Sequence, residues 1–360
     1  MLSTGTAVIV GTRPEIIKMA PVIRELQRRG AGFFILHTGQ HYSYNLDRVF
    51  FEQLQLPQPK YNLEAGSGSH AEMTAKILVG VERILLQEHP GVILAEGDTN
   101  SVLAGALAAA KLRIKVGHVE AGLRSYDRNM PEEINRVLAD HCSDYLFAPT
   151  QNARTTLIGE GIPQEKIIVT GNTIVDAVCQ ALEIASGRHD VLQTLGLKGK
   201  GYFLLTLHRQ ENVDDRNRLA SILEGVDRAA VEFGLPIIYP IHPRSQKRLS
   251  EFNLKPRNLT LVEPMDFLSF LQLESNARLI FTDSGGVQEE SCILRVPAVT
   301  LRDNTERPET LEVGSNILAG ASPEKILQCA REMMDRVNRW QNPFGDGKAG
   351  SRIVNTILGS

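Results

Sequence analysis

Short apolar segments alternate with longer amphipathic segments along the first half of the chain. The apolar segments predict strands buried on both faces, at residues 6–10, 33–37, 92–96, 114–119, 145–147 and 167–169. The segments whose apolar positions recur every three or four residues predict helices at 14–29, 71–88, 100–112 and 131–140. Strands that alternate with helices in this way indicate a parallel sheet covered on both faces.

The same alternation restarts after a polar, glycine-containing segment at residues 186–201, which we interpret as a linker. The second half predicts strands at 202–207, 237–239, 259–262, 279–281 and 298–301. The predicted fold class is therefore α/β, with two Rossmann-like doubly wound domains facing a cleft. In such sheets a ligand binds just beyond the carboxyl ends of the strands, where we expect the functional residues.

The composition narrows the class of protein. A length of 360 residues suits two domains, and a net charge of −3 speaks against nucleic acid as the main partner. The four cysteines lie far apart with no C-x-x-C pair, so we expect no structural zinc and a reduced, cytoplasmic location. The longest uncharged apolar stretch, 102–110, is about half of the roughly 20 residues that a membrane span needs. We therefore expect no membrane association.

Residues 282–290, T-D-S-G-G-V-Q-E-E, join a predicted strand to a helix through two glycines. Gly285 and Gly286 carry no Cβ, so an anion can approach their N–H groups at the positive end of the helix. Ser284 adds a hydroxyl, and Glu290, one turn later, is suited to accept hydrogen bonds from a ribose diol. This combination favours a nucleotide site. The alternative is a Gly-Gly turn that merely starts a helix.

Two cations follow the first strand, where residues 11–18 read G-T-R-P-E-I-I-K. The segment lacks G-x-G-x-x-G, so a dinucleotide site is only weakly supported. Arg13 and Lys18 are suited instead to hold an anionic leaving group, with ordinary solvated side chains as the alternative.

Carboxylates follow the next strands of the same half. Asp98 and Glu120 come after neighbouring strands, and Glu132 and Glu133 begin the helix at 131–140. As alternatives, Asp98 would only cap the N-terminus of the following helix, and at least one of the two glutamates would only be stabilised at the start of its helix by the helix dipole. Carboxylates that converge in a desolvated site repel each other, so we expect a raised pKa in at least one. A raised pKa suits acid/base catalysis at neutral pH.

In the second half, His208 follows the strand at 202–207 and is placed to contact or protonate a departing phosphate. The alternative is a histidine whose hydrogen bonds are satisfied at the end of a strand. The chain has no G-x-S-x-G, no H-E-x-x-H and no Walker A lysine. We therefore predict neither a hydrolase nor a metalloenzyme, and no bound metal.

These residues occur within motifs that, in order, resemble those of the non-hydrolysing UDP-N-acetylglucosamine 2-epimerases. The resemblance covers essentially the whole chain. Its motifs are G-T-R-P-E-I-I-K at 11–18, T-G-Q-H-Y at 38–42, G-D-T-N at 97–100, H-V-E-A-G-L-R at 118–124, M-P-E-E-I-N-R at 130–136, G-N-T-I-V-D at 171–176, H-R-Q-E-N at 208–212, T-D-S-G-G-V-Q-E-E at 282–290 and T-E-R-P-E at 305–309.

The resemblance implies a fold of the glycosyltransferase-B type and a homodimer. It implies an N-terminal domain at 1–172, a C-terminal domain at 173–338 and a helical tail at 339–360 that packs back on the first domain. The implied reaction interconverts UDP-GlcNAc and UDP-ManNAc without a cofactor. UDP is eliminated to leave a 2-acetamidoglucal and is then added back, with the proton delivered to the other face.

The resemblance also assigns roles to individual positions. Asp98, Glu120 and Glu132 match the acid/base carboxylates, and His208 matches a residue that stabilises departing UDP. The positions that match UDP contacts are Arg13, Lys18, Phe270, Ser284, Gly285, Gly286, Glu290 and Arg307. Which carboxylate serves which face of the sugar stays open.

A second UDP-GlcNAc site activates bacterial members of the family allosterically. Gln40, His41, Arg209 and His242 match residues of that site. Gly68 stands where many bacterial members have a glutamine of the same site. Whether this chain is activated in the same way therefore stays open.

Other functions share parts of this pattern. The nearest alternative is the same mechanism on a modified UDP-sugar, such as a 2,3-diacetamido uronic acid, followed by a hydrolysing epimerase. A glycosyltransferase would share the fold and the UDP site but would not need three carboxylates facing the sugar. A non-catalytic sensor of nucleotide-sugars would need none of them.

Overall fold

The computed structural model describes residues 5–39, 44–187, 191–336 and 338–359, without the side chains of 44–47. The chain divides into two compact units: unit 1 is Met1–Gln180 with Phe344–Ser360, and unit 2 is Ala181–Pro343. The domain bounds from the sequence, 172/173 and 338/339, stay predictions.

Parallel strands and connecting helices alternate through both units. The strands are β1 Thr6–Val10, β2 Phe33–His37, β3 Tyr61–Asn62, β4 Val92–Glu96, β5 Lys115–Val119, β6 Tyr145–Ala148, β7 Ile167–Val169, β8 Phe203–Thr206, β9 Ile237–Pro240, β10 Leu259–Val262, β11 Leu279–Thr282, β12 Ala298–Thr300 and β13 Asn316–Leu318. The helices are α1 Arg13–Arg28, α2 Tyr44–Gln53, α3 His70–Glu88, α4 Asn100–Lys111, α5 Pro131–Cys142, α6 Gln151–Gly159, α7 Thr173–Ser186, α8 Val191–Thr194, α9 Gln210–Val213, α10 Arg216–Phe233, α11 Pro243–Glu251, α12 Phe267–Asn276, α13 Gly285–Ile293, α14 Pro308–Glu312, α15 Pro323–Asp335 and α16 Ala349–Leu358.

The described part of unit 1 forms a seven-stranded parallel sheet in the order β3-β2-β1-β4-β5-β6-β7. Val8 in β1 lies opposite Ile35 on one side and Leu94 on the other, and these three side chains are almost completely buried. Strands with helices on both faces have no solvent-facing side, which explains their continuous apolar sequence.

The C-terminal helix α16 belongs to unit 1. Asp176 in α7 accepts hydrogen bonds from the N–H groups of Ala349 (3.2 Å) and Gly350 (3.0 Å), so its carboxylate caps the start of α16. Arg29, just after α1, donates a hydrogen bond to Asn355. Gly350 allows close packing on α1, since a Cβ there would lie 3.1 Å from Pro21.

The described part of unit 2 repeats the design with six parallel strands in the order β10-β9-β8-β11-β12-β13. At its centre the rings of Phe203 and Phe281 meet edge to face, 5.7 Å apart. On one face α10 packs against α15 at Gly225, where a Cβ would lie 2.9 Å from Pro323 and Ile326.

In both sheets the strand order reverses next to the first strand of the unit. This occurs between β1 and β4 in unit 1 and between β8 and β11 in unit 2. Such a reversal leaves a crevice at the carboxyl ends of the two strands, where ligands of doubly wound sheets bind. The predicted fold class is confirmed: both domains are Rossmann-like and doubly wound, in a fold of the glycosyltransferase-B type.

Several elements were not predicted. β3 and β13 have two and three residues, too few for a periodic pattern. Helix α8 lies within the predicted linker. No helix formed by the described residues is both long and apolar enough to cross a membrane.

The packing of α10 on α15 predicts that an alanine substitution changes the melting temperature differently at a packed glycine and at an open one. Gly225→Ala should lower the melting temperature by several degrees, because overpacking costs about 1–3 kcal/mol. Gly159→Ala should leave it equal or slightly higher, since this helical glycine has no neighbour within 4 Å of its Cβ position. Thermal unfolding of both variants tests this, and equal melting temperatures would contradict the packing described.

Candidate active site

Lys18 lies between two carboxyl groups at the carboxyl end of the unit 1 sheet. Its Nζ is 3.2 Å from Oε1 of Glu96, the last residue of β4, and donates to Oε2 of Glu120, just after β5. Asn172 Nδ2 donates to the same oxygen of Glu120 at 3.1 Å. The side chains of Lys18, Glu96 and Glu120 are 12%, 2% and 8% exposed, so this cluster is largely removed from water.

The protonated form of Glu96 is favoured in this cluster. Burial raises its pKa well above the ordinary value, the Lys18 charge opposes that shift, and the charges of Glu120 and Glu15 add to it. One ammonium balances only one carboxylate, and Glu120 has both Lys18 and Asn172 as donors. The neutral partner is therefore Glu96.

Glu15, in the first turn of α1, is a second buried carboxyl of this region. It accepts hydrogen bonds from the N–H groups of Gly11 and Thr12 and from Oγ1 of Thr99 at 2.5 Å. Burial raises its pKa to about 7, while these hydrogen bonds oppose the shift and the charge of Asp98 adds to it. The raised pKa values expected from converging carboxylates thus fall on Glu15 and Glu96, which were not singled out from the sequence.

A buried ion pair joins the ends of β4 and β5. His118 Nδ1 donates to Asp140 Oδ1 at 2.6 Å, and its Nε2 donates to the carbonyl of Gly97 at 2.8 Å. Burial works against the imidazolium, but Asp140 more than compensates, so the pKa of His118 is raised and that of Asp140 is lowered. Because Gly97 precedes Asp98 and His118 lies two residues before Glu120, the pair fixes both predicted acid/base positions relative to each other.

Asp98 and Glu120 are held differently. Arg136 in α5 donates to the carboxylate of Asp98, and Asn135 Nδ2 donates to its backbone carbonyl at 2.9 Å. The N-cap interpretation of Asp98 is wrong, because the N-cap of α4 is Thr99. Glu120 has a left-handed backbone with φ of 69°, a conformation that few non-glycine residues adopt.

The structure separates the two glutamates at the start of α5. Glu133 is buried and accepts hydrogen bonds from Ser125 N and Oγ, both at 2.9 Å, and from Tyr126 N at 3.0 Å. Burial opposes the ionised form, but these donors and Arg136 lower the pKa of Glu133. Among the described residues, no group pairs with the half-buried carboxylate of Glu132. Glu133 therefore holds the preceding loop, whereas Glu132 retains its hydrogen-bonding capacity.

In unit 2, the buried carboxylate of Asp283 organises the carboxyl ends of β8 and β11. It accepts hydrogen bonds from the N–H groups of His208 (3.0 Å) and Arg209 (2.9 Å) and from Asn212 Nδ2 (3.2 Å). His208 Nδ1 lies 3.0 Å from Oδ1. Burial opposes ionisation, but these donors lower the pKa of Asp283. The loop after β8 is thereby tied to β11, with nearly half of the His208 side chain exposed.

The N-terminus of α13 is open where the sequence predicts an anion site. Ser284 is its N-cap and accepts a hydrogen bond from Val287 N. A Cβ on Gly285 or Gly286 would have its nearest neighbour at 3.9 or 3.8 Å, and neither residue has a positive φ. Nothing in unit 2 therefore requires glycine at these positions. Their lack of a Cβ instead leaves room for a group outside the chain.

Three further predicted UDP contacts surround this helix. Arg307, just before α14, pairs with Glu289 of α13, with Nε 2.6 Å from Oε1. Phe270 lies on α12 and packs against the apolar cluster that contains Val287. Glu290 of α13 faces Glu274 of α12. The predicted UDP residues of unit 2 thus lie on adjoining elements.

The remaining predicted residues do not form one group. The guanidinium of Arg13 lies 5.5 Å from the ring centre of Phe50, whereas Lys18 points into the carboxyl cluster. Gln40 and His41 lie outside the described residues. His242 caps α11 by accepting a hydrogen bond from Arg244 N at 3.2 Å, and Arg209 Nε donates to the carbonyl of Asp283 at 3.0 Å. Their allosteric role stays a prediction.

Sequence signals existed for some of the residues that were missed. Glu15 lies three residues after Thr12, the spacing of a capping box, which the structure contains. Glu96 and Asp283 each directly follow an apolar strand run, the position at which a charge is buried beside the carboxyl end of a sheet. No group of three or more metal-ligating side chains is arranged for a metal within the described ranges.

The raised pKa of Glu15 predicts a pH-dependent stability. Between pH 4.5, where Glu15 loses its proton in the unfolded chain, and about 7, where it does so in the folded protein, the folded state binds more protons. The free energy of unfolding therefore falls as pH rises through this window, by on the order of 3 kcal/mol. Glu15→Gln should remove this dependence.

Melting temperatures of wild type and Glu15→Gln across this range measure the effect. The variant should gain stability relative to wild type as pH rises, while the exposed control Glu165→Gln should follow wild type. A difference between Glu15→Gln and wild type that does not change with pH would contradict the assignment.

Comparison with known proteins identifies the family. Residues 24–358 match the family model described as UDP-N-acetylglucosamine 2-epimerase. The chain is 55% identical over 358 residues to the UDP-N-acetylglucosamine 2-epimerase of Methanocaldococcus jannaschii, with 98% of both chains covered. It is 39% identical over 351 residues to the UDP-2,3-diacetamido-2,3-dideoxy-D-glucuronate 2-epimerase of Pseudomonas aeruginosa, covering 96% of this chain and 97% of the relative.

A solved structure agrees with these matches. The crystal structure of M. jannaschii UDP-GlcNAc 2-epimerase in complex with UDP-GlcNAc and UDP has a TM-score of 0.89 at 55% identity, covering 99% of this chain and all of that one. Since sequence and fold agree over almost the full length, this chain belongs to the UDP-N-acetylglucosamine 2-epimerase family of isomerases.

Proposed function

We propose that this protein interconverts UDP-GlcNAc and UDP-ManNAc by eliminating UDP and adding it back across a 2-acetamidoglucal. The observation that carries the proposal is the cluster of Lys18, Glu96 and Glu120 at the carboxyl end of the unit 1 sheet. In it the Lys18 ammonium pairs with two carboxyl groups, Glu120 and Glu96, and the pKa of Glu96 is raised by burial and by the neighbouring carboxylates. Such a cluster can accept a proton and return one at neutral pH.

The chemistry explains why several carboxyl groups are useful. The C2 hydrogen of the sugar is not next to a carbonyl, so direct deprotonation is prohibitive. In the elimination, the C2–H electron pair becomes the C1–C2 double bond, and the C1–O bond breaks with its electrons leaving on UDP. In the reverse step UDP adds to C1, and C2 receives a proton on the opposite face. We assign these proton transfers to Glu120, Asp98 and Glu132.

UDP binding is assigned to unit 2. The N–H groups of Gly285 and Gly286 at the start of α13 suit a diphosphate. Ser284 and Arg307 adjoin them, and His208 is held at the neighbouring strand end by Asp283. The family resemblance also assigns Lys18 and Arg13, in unit 1, to stabilising the departing diphosphate.

A modified UDP-sugar is the second candidate substrate. The Pseudomonas aeruginosa relative named for UDP-2,3-diacetamido-2,3-dideoxy-D-glucuronate shares 39% of its residues with this chain. The higher identity of 55% to relatives named for UDP-N-acetylglucosamine favours the unmodified sugar. Homodimer formation also stays a prediction, which sedimentation in solution would test.

Incubation with UDP-GlcNAc in D₂O tests the reaction. NMR should show deuterium at C2 and an equilibrium mixture of two UDP-sugars, whereas free ManNAc would indicate a hydrolysing epimerase. Deuterium exchange only in UDP-2,3-diacetamido-glucuronate would indicate the second substrate. No exchange in either UDP-sugar would contradict the proposal.

Glu120→Gln tests the cluster directly. The amide cannot accept the proton, so C2 exchange should fall by roughly 10²–10⁴-fold. UDP affinity should stay near that of wild type, because most of the assigned nucleotide contacts lie in unit 2 and the substitution leaves Arg13 and Lys18 in place. The exposed control Glu165→Gln should leave both quantities unchanged. Wild-type exchange in Glu120→Gln would remove this residue from the mechanism.

Gly285→Ala tests the anion site. The added methyl group has room within the protein, so the melting temperature should not fall. It would lie where the diphosphate approaches the helix, so UDP affinity measured by calorimetry should drop about tenfold or more. Gly159→Ala provides the same substitution at a helical position in unit 1. Unchanged affinity in Gly285→Ala would place the diphosphate elsewhere.

A further inference from the structure

Glu274 is a buried carboxyl group to which no role in the proposed reaction is assigned. It lies on α12, its side chain is completely removed from solvent, and both carboxyl oxygens are buried. Among the described residues neither oxygen has a hydrogen-bond donor, and the group that acts on this carboxyl is another one, that of Glu290 on α13. Two carboxyl groups form a hydrogen bond only if one of them carries a proton.

The surroundings decide which group is protonated. Glu274 lies beside an apolar cluster that includes Tyr202, Leu273 and Val287, and the Tyr202 hydroxyl is already used by the carbonyl of Leu273 at 2.6 Å. None of the cations in the described part of the chain contributes to its environment, and burial and the charge of Glu290 both raise the pKa of Glu274. Glu290 is only partly buried. The proton therefore resides on Glu274, which donates, and Glu290 is the acceptor.

The position of the pair relates it to the nucleotide. Phe270, which the family resemblance places near the uracil, lies four residues before Glu274, so the two side chains lie on the same face of α12. Glu290 lies on α13, whose first residues are assigned to the diphosphate, and it faces α12. A ribose joins a base to a phosphate, and Glu290 adjoins both of the elements assigned to those two groups.

We propose that Glu274 is a positioning residue for nucleotide binding: its neutral carboxyl group donates a hydrogen bond to Glu290 and fixes the carboxylate that receives the ribose hydroxyls. The inference deepens the proposed function and rests on it. An ionised carboxylate has about four acceptor sites, so one hydrogen bond from Glu274 leaves sites for both hydroxyls of a ribose. The hydrogen bond from Glu274 also removes rotational freedom that Glu290 would otherwise lose on binding.

The test compares the affinities of UDP and 2′-deoxy-UDP, measured by calorimetry on the full-length protein. The ratio isolates the ribose 2′-hydroxyl, because base and diphosphate are the same in both ligands. Wild type should prefer UDP by roughly tenfold or more, since a hydrogen bond to a charged group is worth about that much. Glu274→Met, similar in size but without a donor, should reduce the preference to about threefold or less. Glu274→Gln keeps an N–H donor and should restore it.

The pH dependence separates this role from a purely structural one. Burial and the charge of Glu290 raise the pKa of Glu274, so the wild-type preference for UDP should decline as the pH is raised and Glu274 ionises. In Glu274→Gln the preference should not change with pH. Thermal unfolding should show Glu274→Met to be about as stable as wild type or more so, because an apolar side chain suits this site.

The outcomes are distinct. A wild type that binds UDP with a clear preference, which Glu274→Met retains, would overturn the inference. A wild-type preference that does not vary with pH and is the same in Glu274→Gln would also overturn it, even if Glu274→Met does not fold. A wild type that binds neither nucleotide would overturn the proposed UDP site, and the inference with it.

Discussion

A carboxyl group that leaves water must be paired with donors or must keep its proton, and both units depend on this constraint at the carboxyl ends of their sheets. The central parallel strands are buried on both faces, so an acidic residue at or just beyond a strand end is easily buried too. Asp140 and Asp283 stay ionised because several donors converge on each. Glu96 and Glu274 instead hold protons, because burial and neighbouring carboxylates outweigh the available cations.

The two kinds of carboxyl group have different uses. The ionised ones act as fixed anchors: Asp283 joins the loop after β8 to β11, and Asp140 holds the imidazolium of His118 against β4. The protonated carboxyl groups can do what an ionised carboxylate cannot: they donate a hydrogen bond or hold a proton close to a base. The burial of carboxyl groups therefore both fixes the loops at the strand ends and leaves protonated groups next to them.

The sequence predicts the strands of both sheets and the motifs at their ends well, because apolar strand runs and strand-end motifs are local signals. Strand β4 was identified in this way and is confirmed, whereas the anion site at Gly285 and Gly286 stays a prediction. Pairing over long sequence distances has no such signal. Nothing local distinguishes Glu132 from Glu133, yet only Glu133 folds back onto residues 125 and 126.

The same limit explains why the protonation states of the carboxyl cluster could not be predicted from the sequence. The sequence places Glu120 at the carboxyl end of the predicted sheet. The protonation state of the cluster, however, also depends on Glu96 and Glu15, which come from separate segments of the chain. Glu274 was also unpredictable, since α12 meets α13 only in the folded unit. Motifs identify which residues take part, whereas burial and spatial neighbours determine which of them carry protons.

Neutron diffraction from crystals exchanged into D₂O at neutral pD tests this central claim most directly, because it locates deuterium on individual carboxyl oxygens. The account predicts deuterium on Glu96 and Glu274, two deuterium atoms on the His118 ring nitrogens, and none on Asp140 or Asp283. Ionised carboxylates at Glu96 and Glu274, or a neutral His118 beside a deuterated Asp140, would contradict it.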